Sequence, residues 1–392
     1  NMSRLFEVPQ AVGESGIQRI VHVLMRHHEA LRTRVFSLDS DWRMETTDLD
    51  SDPVEVVDVS DVDARGLIAR VSQYTDRVQH HVDLSNGKTT RFVLFVTDRS
   101  QPDLLFVVAH HAVIDVVSWR ILQQDLSHLC ACVVESRTLG LPPRTTTMRA
   151  WAQILQGRAE SGEFLKQLPF WESQGSGILR VPRDATIQVD NIEADARTLV
   201  RDVDFEITDL RNVASGADIR LHELVLAAAA VALGEWMGSA LVLIGIEGHG
   251  RQHSVGSSID LSRTIGWFTT SYPLLVSITH QPQMMDVFMS VRDQFRQVPD
   301  FGLGYGVLRY LSPDSEVRKR LVVTSQPEIL FNYLGSHSHP EGVDGVGIVG
   351  ASNDQDRAQN SRRPAVIEIG GGVSNNRLQG ECRSNGRSHR AS

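Results

Sequence analysis

Lysine is almost missing from this sequence. Lys88, Lys166 and Lys319 are the only three in 392 residues, and every other basic residue is arginine. Chemistry through a lysine Schiff base needs a buried amine, and these three lie in polar, surface-like stretches. Cysteine is as scarce: Cys130, Cys132 and Cys382 are too few for a disulfide scaffold. No four-ligand zinc spacing is present, so no metal is expected, and no GxxxxGK phosphate loop occurs. Long apolar runs are missing too. The longest, Leu224–Gly234, lies between Glu223 and Glu235 and is far short of the ~20 residues of a membrane span. It reads as a buried helix, and with no signal peptide the expected compartment is the cytoplasm. A net charge of −9 excludes a general nucleic-acid surface, which needs a basic face.

What is present is an ordinary globular balance, 41% hydrophobic and 22% charged. The length predicts two or three domains. Asn1 before Met2 reads as a piece cut from a longer chain. Helical spacing of Ile17, Ile20, Val21, Leu24, Met25 and Leu31 predicts a first helix over about 14–34. Thr90–Thr97 and Leu104–Ala109 read as strands, the second (LLFVVA) apolar throughout, as in a strand buried on both faces. Helices are expected over about 117–132, 148–158 and 162–174. Residues 179–196 read as a linker between a first part, 1–178, and a second, 197–392. The second part is expected to hold strands at 198–207, 240–246, 272–279 and 328–334. Its helices are expected near 208–215, 221–237 and 284–298. From His337 to Arg363 the pattern is loop-like, Ala365–Ile369 recovers a strand, and the polar, basic end from Cys382 is expected to be poorly ordered. The fold class is α/β, with mixed sheets and packed helices in each part.

Three His-His pairs occur. His27-His28 ends a helix and His80-His81 sits at a helix-to-loop transition, so both read as structural. His110-His111 follows the apolar strand, and Asp115 lies four residues past the second His. A strand end is a common place for catalytic groups, and imidazole titrates near neutrality, which makes His111 the candidate acid–base. A buried, hydrogen-bonded His with a structural Asp fits the spacing as well, and both readings stay open. Glu247-Gly248-His249-Gly250-Arg251 follows the apolar strand ALVLIGI. A carboxylate there suits acid–base work, while the plain alternative is a turn with a Glu–Arg pair. GLGYG at 302–306 does not follow a strand in a βαβ unit and is weak as a nucleotide signal. His337 and His339 read as a surface loop before they read as metal ligands.

Together these stretches resemble a known family. HHAVIDVVSWRIL resembles the HHxxxD motif of the condensation superfamily of nonribosomal peptide synthetases. IEGHGRQ, RTIGWFTTSYP, PDFGLGYGVLRYL and PEILFNYLG are similar, in order, to motifs of that superfamily's epimerization domains. The resemblance implies two chloramphenicol-acetyltransferase-like lobes in a V, with a tunnel at their interface. It implies His110, His111, Asp115 and Trp119 from the first lobe, and Glu247, Arg251, Asn332 and Tyr333 from the second. Of these, His111, Glu247 and Tyr333 are the implied catalytic groups; the others bind substrate or shape the site.

The implied substrate is an aminoacyl or peptidyl thioester on the phosphopantetheine arm of a carrier protein, with neighbouring synthetase modules as further partners and no cofactor of the chain's own. The implied reaction is inversion at Cα. Two positions depart from the pattern: Val116 stands where Gly is common, and Gln252 where Glu is common. Met2–Pro9 reads as the remnant of a first strand, and a closing C-terminal helix is missing. The rival readings are a peptide-bond-forming condensation domain and a degenerate, carrier-docking scaffold. A coenzyme-A acyltransferase lacks its DFGWG motif here. A two-cysteine racemase needs facing thiols, which Cys130 and Cys132, two apart in one helix, do not provide.

Overall fold

The computed structural model describes residues 1–38, 41–49, 52–98, 100–175, 179–183, 190–251, 259–278, 283–323, 326–337, 346–351, 357–374 and 376–385. Among them the first strands are β1 (Met2–Val8), β2 (Thr33–Leu38), β3 (Asp41–Thr46), β4 (Val54–Asp58), β5 (Thr90–Val96) and β6 (Asp103–Ala109). They are followed by β7 (Ala196–Glu206), β8 (Leu241–Gly248), β9 (Thr270–Ser277), β10 (Ile329–His337), β11 (Gly347–Ala351), β12 (Ile367–Ser374) and β13 (Arg377–Asn385). The helices are α1 (Gly13–His27), α2 (Ala64–Gln79), α3 (Val116–Val134), α4 (Met148–Glu160) and α5 (Leu168–Ser173), then α6 (Ile207–Gly216), α7 (Leu221–Met237), α8 (Met284–Arg296), α9 (Leu303–Gly306) and α10 (Ser315–Val323).

These elements gather into two compact units, neither continuous in sequence. Unit 1 takes Asn1–Arg149, Gly256–Phe268 and His339–Ala358, and unit 2 takes the remainder. In unit 1 a five-stranded mixed sheet runs β11-β1-β6-β5-β4. Side chains alternate across a strand, and both faces of β6 are covered. Leu105, Val107 and Ala109 meet Ile17, Ile20 and Leu24 of α1 and Leu122, Leu126 and Leu129 of α3. Phe106 and Val108 meet Leu67, Val71 and Val78 of α2. A strand walled on both sides must be apolar at every position, and each such side chain contributes about 1.5–3 kcal/mol by leaving water.

Unit 2 holds a six-stranded sheet in the order β7-β13-β12-β10-β8-β9, with β10 parallel to both β8 and β12. The apolar helix α7 packs Leu226, Ala227, Ala230 and Leu233 into a core with Val242, Ile244, Ile246 and Phe331. It ends at Gly238, which is left-handed (φ 62°) and donates its N–H to the carbonyls of Glu235 and Gly234, as a helix-terminating glycine should. Residues 150–175 belong to this unit: Phe164, Leu168 and Trp171 enter its core. The described parts of 179–196 pack there too, through Val181 N–H donated to Glu328 and a bridge from Ile192 to Arg362.

Several expected elements differ. The first helix stops at His27 because His28 is extended, and Glu29–Arg32 forms a separate 3-10 turn. The 162–174 helix is split into a 3-10 turn, Glu163–Gln167, and α5, whose first turn carries a proline that has no N–H to donate. The loop-like 337–363 stretch contains β11, paired with β1. Part of the polar end is ordered: Cys382–Asn385 lie within β13, hydrogen-bonded to β12 and β7 on its two sides. Residues 386–392, and Gln252 and His339, lie outside the described residues. No described helix is long and apolar enough to cross a membrane.

Candidate active site

In unit 1 the HHxxxD residues form the turn that joins β6 to α3. His110 donates its backbone N–H to the Thr89 carbonyl, and Val113 N–H returns to the His110 carbonyl. The His110 Nδ1 accepts from Ala112 N–H at 3.0 Å, so the ring proton of the neutral form sits on Nε2. Burial, above all, holds the His110 pKa below its usual value, and the neighbouring His111 adds to it. The His111 Nδ1 is buried and has no hydrogen-bond partner among the described residues, and its ring lies against Trp267, centroids 5.1 Å apart.

Asp115 caps α3 by accepting from Ser118 N–H at 2.7 Å, and its other oxygen accepts from Phe268 N–H at 3.2 Å. Val113 and Ile114 fill the core between the motif's ends. Trp119 is buried among the α1 and α3 side chains, with the Arg4 guanidinium 5.5 Å from its ring centroid. Val116 is the first residue of α3 and half-buried.

In unit 2, Glu247 and Asn332 are register partners on the parallel strands β8 and β10. Partners in register project to the same face, and the Asn332 amide donates to Glu247 Oε2 at 2.7 Å. The chain then turns through Gly250, whose φ of +65° a side chain would strain, and Arg251 N–H is donated to His249 Nδ1. Arg251 is buried.

Tyr333 is one residue past Asn332 and so projects to the opposite, helix-covered face. Its register partner Gly371 leaves room there beside Val225. The Tyr333 ring lies 6.0 Å from that of His222 at the start of α7. Burial raises the Tyr333 pKa, against a smaller opposing pull from Arg211. Burial also lowers that of His222, against an opposing pull from Glu223, which favours the neutral imidazole. The structure therefore joins Glu247 to Asn332 but not to Tyr333.

Two of the GLGYG glycines serve core packing, Gly302 against the Tyr272 ring and Gly304 against Gln167 and Phe164, and Tyr305 is buried against Trp171, with centroids 5.3 Å apart. The contacts of Trp267 with His111 and of His222 with Tyr333 were not read from the sequence. Each pair is more than a hundred residues apart, so no local spacing signals it.

The condensation-domain family model matches residues 1–357. The chain belongs to the condensation-domain family. One subunit of the linear gramicidin synthase of Brevibacillus parabrevis is 32% identical over 394 residues, covering 99% of this condensation-family chain and 8% of that protein. Another subunit of the same synthase is 35% identical over 340 residues, covering 86% of the chain and 4% of the protein. The chain thus spans less than a tenth of either relative. Among solved structures, the epimerization domain from the third module of tyrocidine synthetase B is 26% identical, with a TM-score of 0.88, covering 99% of this chain and 86% of that one. The condensation domain of the Monacolin K polyketide synthase MokA matches in fold, with a TM-score of 0.75 at 15% identity over 99% of this chain and 88% of that one. The mixed α/β architecture is that of condensation-domain structures.

Proposed function

We propose that this condensation-family chain inverts the Cα of an aminoacyl or peptidyl thioester, from L to D. The substrate hangs on the 4'-phosphopantetheine arm of a carrier protein, in nonribosomal peptide synthesis, with neighbouring synthetase modules as further partners. The observation that carries the reading is the Glu247–Asn332 pair, a carboxylate at the end of a buried strand oriented by an amide at 2.7 Å. The likeness to an epimerization domain supports it.

A Cα proton beside a thioester is weakly acidic. Its removal needs a fixed base, a donor for the developing enolate oxygen, and an acid for the opposite face. In this reading Glu247 exchanges the proton on one face. His111 serves the other, as acid–base or as the cation that steadies the enolate oxygen. Tyr333 is the alternative donor, and its place on the helix-covered face ranks it behind His111. Asn332 orients Glu247, while His110, Asp115, Trp119 and Arg251 hold the site in shape. One proton leaves carbon and one returns, so the step is balanced with no cofactor, and neither nucleic acid nor membrane takes part.

The second reading, peptide-bond formation, draws on the family match, which is to the condensation domain as a whole, and on HHxxxD. One experiment separates the two. A carrier loaded with an L-aminoacyl thioester is incubated with the protein in D2O, with and without a second loaded carrier. Deuterium at Cα and D-product are expected, and Glu247→Gln should lower both by about 10²–10⁴-fold. Amide formation without Cα exchange in the parent protein would overturn the proposal.

A further inference from the structure

Trp267 touches His111 and yet is 49% exposed, so burial does not hold it in place. What holds it is its backbone. The residues around it, 263–266 and 268, have no regular secondary structure, and such a segment must be fixed by side chains that satisfy its peptide groups. Thr145 and Thr146 hold the Thr264 hydroxyl, and helix α3 holds the residues on either side of Trp267. Ser118 Oγ donates to the Gly266 carbonyl at 2.9 Å and accepts from Gly266 N–H at 3.1 Å, and Asp115 takes the N–H of Phe268. The neighbours of Trp267 on both sides are thus tied to the first turn of α3.

Two turns further along the same helix face, seven residues from Ser118, stands Asp125, only 2% exposed. One of its carboxylate oxygens pairs with the Arg263 guanidinium. The other lies 2.8 Å from His28 Nε2, and the His28 ring packs edge-on to His27 at 4.7 Å.

We propose that Asp125, clamped between His28 and Arg263, is a positioning residue that fixes the 263–268 segment along α3 and so sets Trp267 against His111. A buried ion pair is a weak source of stability, because desolvation offsets most of its attraction, but it specifies one register over its alternatives. Here the register is that of an irregular segment lying along a helix. Hydrogen bonds from α3 to Gly266 and Phe268 hold the segment at one end. The Arg263–Asp125 pair anchors the other, and His28 fixes the rotamer of the carboxylate that receives it. The catalytic consequence rests on the epimerization reading; the geometric claim does not.

The test is a double-mutant cycle on the whole chain: Arg263→Met and Arg263→Lys, each with Trp267 intact and with Trp267→Ala. Two quantities are read. One is the ring-proton NMR signal of His111 in histidine-labelled protein, assigned by its loss in His111→Gln. The other is the kcat and KM of Cα deuterium exchange. Arg263→Met should move the His111 signal most of the way to its position in Trp267→Ala, and lower kcat about tenfold with KM little changed, as expected of a small misplacement. Arg263→Lys should recover most of both. With Trp267 already removed, Arg263→Met should change neither further. An unmoved His111 signal, or equal losses in both backgrounds, overturns the clamp. The NMR arm needs no turnover. A parent protein without Cα exchange therefore defeats the epimerization reading and leaves the clamp to be decided by the His111 signal.

Discussion

Replacing Asp115 tests whether the last residue of HHxxxD acts first as an anchor. Its carboxylate does two measurable things: one oxygen caps α3 through Ser118 N–H at 2.7 Å, and the other satisfies the buried N–H of Phe268 at 3.2 Å. Removing an N-cap costs about 1 kcal/mol, and orphaning a buried peptide N–H costs about 1–3 kcal/mol. Asp115 is itself buried, so water does not step in. Asp115→Ala should therefore destabilise the protein by about 2–4 kcal/mol, or roughly 30- to 1000-fold in the unfolding constant. Asp115→Asn keeps the capping oxygen but turns an amide NH2 toward the Phe268 N–H, and should cost about 1–3 kcal/mol. Urea unfolding followed by tryptophan fluorescence gives the totals, and amide exchange at Phe268 reports the local loss. If Asp115→Ala unfolds within about 0.5 kcal/mol of the parent and Phe268 exchange is unchanged, the anchoring argument is wrong.

Three other outcomes are expected. Glu247→Gln should lower Cα exchange by about 10²–10⁴-fold and Tyr333→Phe by far less, because Tyr333 faces α7; equal losses would return Tyr333 to the centre of the site. Gly302 has φ +84° and the Tyr272 ring where a Cβ would stand, so Gly302→Ala should cost about 2 kcal/mol or more, and a neutral result in thermal unfolding would contradict that packing. Burial lowers the His222 pKa from 6.5, so below about pH 6.5 the unfolded chain binds more protons than the folded one and stability falls as pH drops. Glu223, Arg220 and Arg296 surround His222, and His222→Gln should make this acid-side loss shallower, as measured by the urea midpoint from pH 7 to pH 5.

Legibility along the chain followed the period of the apolar residues. The helix expected at 221–237 and the strand at Leu104–Ala109 correspond closely to α7 and β6, because each carries an apolar pattern set by what covers it. β13 could not be read that way. Its sequence, RLQGECRSN, is polar and mostly exposed or half-buried, and only the hydrogen-bonding strands on either side make it a strand. The apolar spacing predicts too long a first helix, because Leu31 continues that spacing while the backbone changes at His28.

The motifs, the mixed α/β class and the family were all readable from the chain alone, since they depend on residue identity and local period. Glu247 came forward at the end of a readable strand, and Asn332 separately, through the family resemblance. Their meeting did not, because parallel register between β8 and β10 is set across 85 residues. The same register turns Tyr333 to the other face, through simple strand alternation. Folding in three dimensions also laid the segment 263–268 along α3, with Trp267 beside His111. Contacts between residues far apart in the chain are chosen by which packed arrangement buries the apolar faces and satisfies the polar groups together, and no local pattern records that choice.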